Sequence, residues 1–462
     1  MTEPLWTAME IAAATGAALI DGNDWQANGI SIDTRTLRPG DLFVALHAER
    51  DGHDFVAKAY AAGATGALVD RRVGSGPQAL VDDSLLGLAR MGVRARERVD
   101  ACRAAVTGSV GKSSVKEAIA AIFRAVGSAH ASEKSYNNHW GVPLSLARMP
   151  KGAKRAVFEL GMNHAGEIAP LTEMVRPHVG VVTRLAPAHI EAFGSLEDIA
   201  AEKAQIWSAM ADNGVAILPA DDPLGDLLAD LAKAHKVSRI VRFGVSPGAD
   251  VRVTRFETGA DGSSGQMDIF GQSHDFSLQV SGAHWAGNAA AAVAAALFCG
   301  VEAKDAAAAL ANLEPLPGRG GAIKVHLPGG EATLLDDAYN ANPVSMAAAF
   351  DTLGVWPAKR RIAVLGDMLE LGEAAQHYHE MLAWSLQNAG IDLVFCTGPL
   401  MHALYQSLPE ARRGGWYENI DDLQQSVHKI VTPGDVVLFK GSNGSKIHQI
   451  ANALKRALQD EA

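Results

Sequence analysis

The sequence predicts an α/β protein of three domains: a small α/β N-terminal domain, a central P-loop domain with a mostly parallel sheet, and a C-terminal Rossmann-like domain. Three observations lead to this prediction. A glycine-rich Gly-Lys-Ser segment follows an apolar run near residue 107, short apolar runs alternate with helical patterns, and a proline- and glycine-rich segment at 314–321 divides the alternating series. At 462 residues, the chain also has the length of about three ordinary domains.

The first domain is predicted to span residues 1–82. Residues 29–46 indicate two strands around a Pro39-Gly40 turn, and residues 51–70 indicate a helix followed by a strand. We expect a small α/β unit that ends before the next helix.

The central domain is predicted to span residues 83–313. It begins with an amphipathic helix at 84–98, includes a Gly-, Ser- and Asp-rich antiparallel excursion at 244–274, and contains an alanine-rich helix at 284–299. Strands alternating with helices after a P-loop predict a mostly parallel sheet. Its predicted strands include 156–161, 179–185 and 214–220.

The last domain is predicted to span residues 314–462. Its strands alternate with helices, as in a Rossmann-like sheet, but its turns contain no GxGxxG segment. The predicted fold therefore does not imply a dinucleotide cofactor. The predicted strands are 332–338, 361–368, 393–398 and 435–442.

Composition excludes several classes of function. A net charge of −11 and the lack of a basic block argue against a nucleic-acid partner, and the most apolar stretch, 289–298, is too short to cross a bilayer. Cys102, Cys299 and Cys396 are far apart in the sequence without metal-ligand spacing, and the N-terminus lacks the pattern of a signal peptide. We expect a soluble cytoplasmic protein that acts as a monomer, without a membrane partner.

The segment TGSVGKSSVKE at 107–117 carries the strongest functional signal. A strand, a glycine-rich bend and a helix N-terminus direct free N–H groups and the helix dipole at one point, where Lys112 adds a positive charge and Ser113 a hydroxyl for Mg²⁺. Val106 stands where the full P-loop motif has glycine, so an ordinary Gly/Ser loop is the alternative. The order of elements favours ATP binding. The predicted phosphate-binding residues are Gly108, Ser109, Val110, Gly111, Lys112, Ser113 and Ser114.

Polar residues at the ends of two predicted strands suggest metal ligands. Glu159 lies in an apolar strand, where an acid is costly unless it meets a cation such as Mg²⁺; pairing with an arginine is the alternative. His189 follows another strand, beside Glu191, and is a candidate ligand of a second metal, although a lone histidine is more often structural.

Two further positions have open interpretations. From the residues alone, Lys203 in EDIAAEKAQIW is best explained as part of a solvent-exposed helix face. Asn137 and Asn138 precede a Gly-Val-Pro turn, and their amides suit a phosphate or metal–water network, or equally a hydrogen-bonded turn.

In this order along the chain, the segments resemble the Mur ligase family. The resemblance covers nearly the whole chain, and FELGMNHAGEI and DDAYNANP are similar to the branch that adds a D-alanyl-D-alanine dipeptide. The matching segments are SIDTRTLRPGDLFVAL, DGHDF, TGSVGKSS, YNNHWGVPLSL, FELGMNHAGEI, AHIEAFGS, EKAQIW, HWAGNAAAAVAA, PGRG, DDAYNANPVSM, VLGDMLELGE and VLFKGS.

The resemblance implies an enzyme that uses ATP and Mg²⁺ to join UDP-N-acetylmuramoyl-tripeptide to D-alanyl-D-alanine through an acyl phosphate. This reaction belongs to peptidoglycan synthesis, and thus to cell-wall biogenesis, cell shape and division. A sister ligase that adds a single amino acid, a polyglutamylating ligase and a P-loop ATPase switch are the alternatives.

The resemblance also implies roles for individual residues. Ser113 and Glu159 would hold one Mg²⁺, His189 a second, and Lys203 would be carbamylated to a metal-binding anion, which replaces the solvent-exposed interpretation. Arg319 would reach the γ-phosphate, and Lys112, His189, Lys203 and Arg319 are the catalytic candidates. The remaining implied nucleotide contacts are Asn288, Asp337 and Asn340, and the implied precursor contacts are Ser31, Asp33, Thr34, Arg35 and Asn138.

The chain departs from the family pattern at three places. Thr34 stands where serine is common, Arg184 replaces an asparagine before the histidine, and the segment after Lys440 lacks the usual arginine and Met-Glu pair. The first change keeps the hydroxyl, whereas the second places a bulky charge near the expected metal site.

Overall fold

The computed structural model describes residues 3–133, 135–187 and 190–460, without the side chains of 457–460. It confirms the predicted α/β class, because three main sheets follow one another along the chain and helices pack against them. Each sheet lies within one of the predicted domain ranges. The boundaries at 82/83 and 313/314 remain predictions.

The N-terminal domain is built on a five-stranded sheet in the order β2-β7-β6-β5-β4. The two strands predicted around Pro39-Gly40 are present, and they pair in parallel, so this turn belongs to a crossover rather than to a hairpin. Strands β4, β5 and β6 therefore end at the same edge of the sheet. The elements are β1 (Trp6–Thr7), α1 (Ala8–Thr15), β2 (Ala18–Ile20), β3 (Gln26–Ala27), β4 (Gly29–Ser31), β5 (Asp41–Val44), α2 (Val56–Ala61), β6 (Gly66–Val69) and β7 (Gln78–Leu80).

The central domain contains a nine-stranded sheet in the order β16-β15-β14-β13-β12-β11-β8-β10-β9. Strands β8 to β14 pair in parallel and β14 to β16 are antiparallel, which confirms the predicted excursion. The elements are α3 (Ser84–Glu97), β8 (Cys102–Thr107), α4 (Lys112–Ala125), β9 (Ala129–Ala131), α5 (Gly141–Ala147), β10 (Arg155–Glu159), α6 (Ile168–Val175), β11 (Val179–Val182), α7 (Ile190–Phe193), α8 (Leu196–Ala204), β12 (Val215–Pro219), α9 (Gly225–Ala234), β13 (Arg239–Gly244), β14 (Val251–Gly259), β15 (Gly262–Ile269), β16 (Gln272–Leu278), α10 (Trp285–Leu297) and α11 (Ala303–Ala309).

The position of β8 determines where the site forms. It lies between β10 and β11, and Glu159 at the end of β10 is level with Val106 at the end of β8. Helix α4 continues from the loop after β8 and packs against α10, whose residues 289–296 are all buried. Because seven of these eight residues are alanines, the two helices approach closely and bring Asn288 to the loop.

Helix α3 connects the first two domains by packing. Leu88 and Met91 are fully buried in the same cluster as Trp6 and Leu42 of the first domain and Leu144 of α5. Burial of a large apolar side chain contributes about 2 kcal/mol. This shared core fixes the N-terminal sheet relative to the P-loop.

The C-terminal domain contains a six-stranded sheet in the order β17-β18-β22-β19-β20-β21. Only the β17–β18 pair is antiparallel, and the parallel remainder confirms the Rossmann-like prediction. The elements are β17 (Gly321–Leu327), β18 (Gly330–Asp336), α12 (Pro343–Gly354), β19 (Arg360–Gly366), α13 (Ala375–Asn388), β20 (Leu393–Thr397), α14 (Pro399–Ser407), β21 (Arg413–Tyr417), α15 (Ile420–Ile430), β22 (Asp435–Lys440) and α16 (Ile447–Asp460). Among the described helices, none has the length and hydrophobicity that a bilayer crossing requires.

Candidate active site

The loop between β8 and α4 has the backbone conformation that a phosphate cradle requires. Gly108 and Gly111 have positive φ values of 147° and 89°, and a Cβ on Gly111 would lie 2.8 Å from the Asn288 Oδ1 atom. Both positions therefore need glycine. Lys112 opens α4 and its Nζ donates to the Gly108 carbonyl at 2.7 Å, across the mouth of the loop. Burial lowers the pKa of Lys112, while the carboxylate of Glu159 acts in the opposite direction.

The unexpected Arg184 supports this loop through its main chain. Its carbonyl accepts hydrogen bonds from the N–H groups of Ser109 at 3.0 Å and Val110 at 3.2 Å. The neighbouring Thr183 hydroxyl donates to the Val110 carbonyl at 2.7 Å. Because these contacts come from the main-chain carbonyl, an arginine in place of the usual asparagine keeps them. The side chain of Arg184 is exposed.

A hydroxyl and a carboxylate meet beside the loop. The Ser113 hydroxyl donates to Glu159 Oε2 at 2.6 Å, and Asn137 Nδ2 donates to Glu159 Oε1 at 2.8 Å. Glu159 is 1% exposed. Neutral groups hold its carboxylate among the described residues, so the alternative of an arginine partner is wrong. Hard oxygen ligands around a buried negative charge fit Mg²⁺.

Lys203 lies on α8 and is buried, with 2% of its surface exposed. The interpretation as a solvent-exposed lysine is therefore wrong: this face of the helix points into the domain. Its amine makes no hydrogen bond to the residues that the structure describes, and burial, together with the positive charge of Lys112, holds the pKa of Lys203 well below its usual value. His189, the predicted second-metal ligand, lies outside the described residues.

Neighbouring Glu202 fixes the orientation of α8. Its carboxylate accepts from the N–H groups of Gly166 and Ile168, both at 2.9 Å, at the beginning of α6. The position of Lys203 is thus set by contacts between two helices rather than by its own amine.

The C-terminal domain supplies the opposite wall of a cavity of about 630 Å³ over the P-loop. Arg319 Nη2 donates to the Ser135 hydroxyl at 3.3 Å, and its guanidinium lies 4.2 Å from the centre of the Tyr339 ring. Asp337 forms an ion pair of 2.7 Å with Lys440. The structure therefore brings Arg319, Asp337 and Asn340 together with the P-loop, as the sequence predicts.

Sequence reasoning missed two cavity residues, Ser135 and His284, and gave Lys440 only a weak assignment because the segment after it departs from the family pattern. Ser135 lies 3.4 Å from the Ser113 hydroxyl and contacts Arg319, Lys440 pairs with Asp337, and His284 lines the cavity four residues before Asn288. The i, i+4 spacing of His284 and Asn288 at the start of a helix is a signal that could have identified the histidine.

The candidate precursor residues of the first domain lie outside this cavity. Asp33 pairs with Arg35 at 2.6 Å, and the hydroxyl of buried Ser31 donates to the Asp33 carbonyl at 2.9 Å. Segment 135–148 connects the two places, because Arg148 donates to the Ile30 carbonyl at 2.7 Å. An extended ligand that reaches from Arg35 to the P-loop would follow this segment.

Of the two neighbouring asparagines, Asn137 contacts Glu159, the candidate Mg²⁺ ligand. The Asn138 Oδ1 atom accepts from the N–H groups of Trp140 and Gly141 at 3.2 and 2.9 Å, which is the hydrogen-bonded turn that the sequence left open. The role of Asn138 as a precursor contact stays a prediction, as do those of Ser31, Asp33, Thr34 and Arg35.

Two parts of this chain match the models of known protein families. Residues 106–296 match the Mur ligase middle domain, and residues 318–443 match the Mur ligase, glutamate ligase domain. The UDP-N-acetylmuramoyl-tripeptide–D-alanyl-D-alanine ligase of Escherichia coli K12 is 35% identical over 443 residues, which cover 94% of this chain and 95% of the relative. The ligase of the same name from Rickettsia prowazekii is 30% identical and covers 97% of this chain and 99% of its own length.

Solved structures give the same result at the level of the fold. MurF from Acinetobacter baumannii superposes with a TM-score of 0.84 and 30% identity, covering 98% of this chain and 99% of that one. MurF ligase from Thermotoga maritima in complex with ADP superposes with a TM-score of 0.77 and 26% identity, covering 94% and 98%.

Proposed function

The chain belongs to the Mur ligase family, and we propose that it forms the amide bond between UDP-N-acetylmuramoyl-tripeptide and D-alanyl-D-alanine at the expense of ATP. The γ-phosphoryl group of ATP is transferred to the terminal carboxylate of the tripeptide, which gives an acyl phosphate and ADP. The dipeptide amine then attacks the acyl carbon, phosphate leaves, and the amine loses a proton.

The observation that supports this function is the cavity where Lys112 and Arg319 converge from two domains. A carboxylate and a triphosphate repel each other, so their reaction needs fixed positive charge where negative charge accumulates. Lys112 spans the mouth of the phosphate loop, and Arg319 reaches Ser135 from the opposite wall. The two cations thus flank the space in which a γ-phosphate would lie.

Ser113 and Glu159 are the residues that would hold Mg²⁺, with Asn137 fixing the carboxylate. When bound, Mg²⁺ would neutralise phosphate charge. His189 is proposed as a ligand of a second ion. Asn288, Asp337 and Asn340 are proposed to contact the nucleotide, since all three line the cavity.

Lys203 is proposed to act as a carbamate. A lysine reacts with CO₂ only when its amine is unprotonated, and the lowered pKa of Lys203 supplies that form nearer to neutral pH. Carbamylation of the neutral amine gives an anion and releases one proton. The anion would lie near the positive charge of Lys112, so the repulsion between the two lysine side chains would be replaced by attraction.

The precursor is proposed to bind with its uridine diphosphate near Ser31, Asp33, Thr34 and Arg35 and with its peptide along segment 135–148. Arg35 is mostly exposed and keeps a charge for a phosphate group. We further propose a monomer that works in the cytoplasm; its cysteines are free thiols, as a reducing compartment requires.

The test is turnover by the purified protein with each substrate omitted in turn. ADP release should require the tripeptide precursor and the dipeptide together, and ¹⁸O from the tripeptide carboxylate should appear in the released phosphate. Product with a single amino acid instead of the dipeptide would assign a sister ligase. ATP hydrolysis that needs neither acceptor would assign an ATPase switch.

A further inference from the structure

The N-terminal domain contains a cluster of two histidines and two aspartates that the ligase reaction does not use. His47 follows β5, Asp51 and His53 belong to the DGHDF segment, and Asp70 directly follows β6. Because β5 and β6 are parallel neighbours, their carboxyl ends bring these residues together. The two imidazole rings lie 5.0 Å apart, outside the cavity over the P-loop.

Asp51 faces the Nδ1 atoms of both rings, and Asp70 faces their Nε2 atoms. Asp51 Oδ1 lies 2.7 Å from His53 Nδ1 and 3.5 Å from His47 Nδ1. On the other side, Asp70 Oδ2 lies 2.8 Å from His47 Nε2, and Asp70 Oδ1 lies 3.1 Å from His53 Nε2. Two carboxylates thus enclose a pair of imidazoles.

With both imidazoles neutral, the two ring N–H groups cannot serve all four contacts between ring nitrogens and aspartate oxygens. His53 Nε2 accepts from the Asp70 N–H at 3.2 Å, so its Nδ1 carries the proton that is donated to Asp51. His47 uses its single proton on the 2.8 Å contact with Asp70. The lone pair of His47 Nδ1 is then left facing the negatively charged Asp51 Oδ1, and a cation between them removes the repulsion.

We propose that a divalent transition-metal ion, with Zn²⁺ the preferred species, binds between His47 Nδ1, His53 Nδ1 and Asp51 Oδ1. These three residues offer ligand atoms that lie within 4.8 Å of one another. Two imidazoles and one carboxylate favour Zn²⁺ over Mg²⁺, and water completes a tetrahedron. His53 then takes the other tautomer: it gives up the hydrogen bond from the Asp70 N–H, and its Nε2–H donates to Asp70 Oδ1 instead. The Nε2–H groups of both rings then donate to the Asp70 carboxylate, which orients the two ligands as outer carboxylates do in metal sites.

The residues around the proposed site let a metal ion enter from solvent but limit its binding affinity. The side chain of His47 is 58% exposed, so the ion can enter from solvent. Arg71 donates to Asp51 Oδ2 at 2.7 Å, which leaves Oδ1 as the ligand atom but places a positive charge nearby. We therefore expect binding weaker than in a structural zinc site.

The test is calorimetric titration of the metal-stripped full chain with ZnCl₂ near neutral pH, in excess Mg²⁺ to saturate oxygen-rich sites. We expect one Zn²⁺ site that is lost in His47→Ala and weakened about 10- to 100-fold in Asp70→Asn. His326→Ala is the matched control and should keep the site, because His326 is likewise exposed and lies 3.2 Å from a carboxylate, that of Glu331.

Zinc affinity that is unchanged in His47→Ala, or the absence of any zinc site in the wild type, would overturn the proposal. The readout does not depend on ligase activity, so it is separate from the test of the reaction. Thermal unfolding of His47→Ala should match that of the wild type in the absence of zinc, since this side chain lies at the surface.

Discussion

Replacement of Lys203 tests the least intuitive part of the proposed mechanism. Lys203→Ala removes the buried amine and leaves the space of the side chain, whereas Lys203→Met fills most of that space without a nitrogen. Loss of one preorganised charged group at a reacting centre typically costs about 10²- to 10³-fold in kcat. We expect both variants to fall in this range in a coupled assay of ADP release.

The two variants should differ in rescue. A short carboxylic acid such as formate or acetate fits the cavity left by Lys203→Ala and places an anion where the carbamate would lie. In Lys203→Met the thioether chain occupies that space, so the same acid should have no effect. Labelled ¹³C-bicarbonate should give a carbamate resonance in the wild type and in neither variant.

Stability should change in the opposite direction to activity. The Lys203 side chain is 2% exposed, and removing its charge from water costs free energy, which the lowered pKa of its amine reflects. Lys203→Met should therefore raise the free energy of unfolding by about 1 kcal/mol in CO₂-free buffer. Because the pKa of Lys203 is lowered in the fold, the unfolded chain binds more protons, and the gain should grow as pH falls from about 10.5.

Near-normal turnover by Lys203→Ala, or equal rescue of both variants, would refute the carbamate. Loss of activity without a carbamate resonance in the wild type would leave a lysine that acts only as a buried cation, contrary to its lowered pKa.

Three further predictions concern other residues. Lys112→Ala should reduce turnover by at least about 10³-fold without changing the unfolding temperature, as measured by single-turnover kinetics and thermal melts. Arg319→Ala should lower kcat by about 10³-fold with little change in KM for ATP. Arg319→Lys should recover only part of this activity, because lysine keeps the charge but loses the planar contact with Tyr339. A rise in KM alone would assign Arg319 a role in binding ATP rather than in the transition state. Burial lowers the pKa of His130 to about 4, so the unfolded chain gains a proton first as pH falls from about 6.5. Stability should therefore drop by about 3 kcal/mol by pH 4 in denaturant titrations. His130→Gln should flatten this slope, and an unchanged slope would contradict the prediction.

Local patterns were sufficient to predict the fold class and the phosphate loop. A strand, two required glycines and a helix start are contiguous in the sequence, and their geometry depends on few distant contacts. The same holds for Glu159, because a carboxylate inside an apolar run is unusual wherever the run lies.

Lys203 could not be placed in this way. Whether a helical lysine faces water or a core depends on what packs against that face, and here Glu202 fixes the helix through N–H groups that lie 34 and 36 residues away in the sequence. The pairing of Asp337 with Lys440 spans 103 residues. Neither contact leaves a local pattern in the sequence. The resemblance to a family, rather than the local sequence pattern, therefore indicated the carbamate role predicted for Lys203.

Lys112 and Lys203 make one electrostatic unit. Lys112 must remain a cation to serve the phosphates, although burial lowers the pKa of its own amine. That same positive charge helps to lower the pKa of Lys203, which favours the neutral amine that attacks CO₂. With Lys203 carbamylated, as proposed, the interaction would change sign and favour the protonated form of Lys112. The P-loop cation would then promote the modification that in turn keeps it charged, which gives a physical reason for a buried lysine beside the phosphate loop.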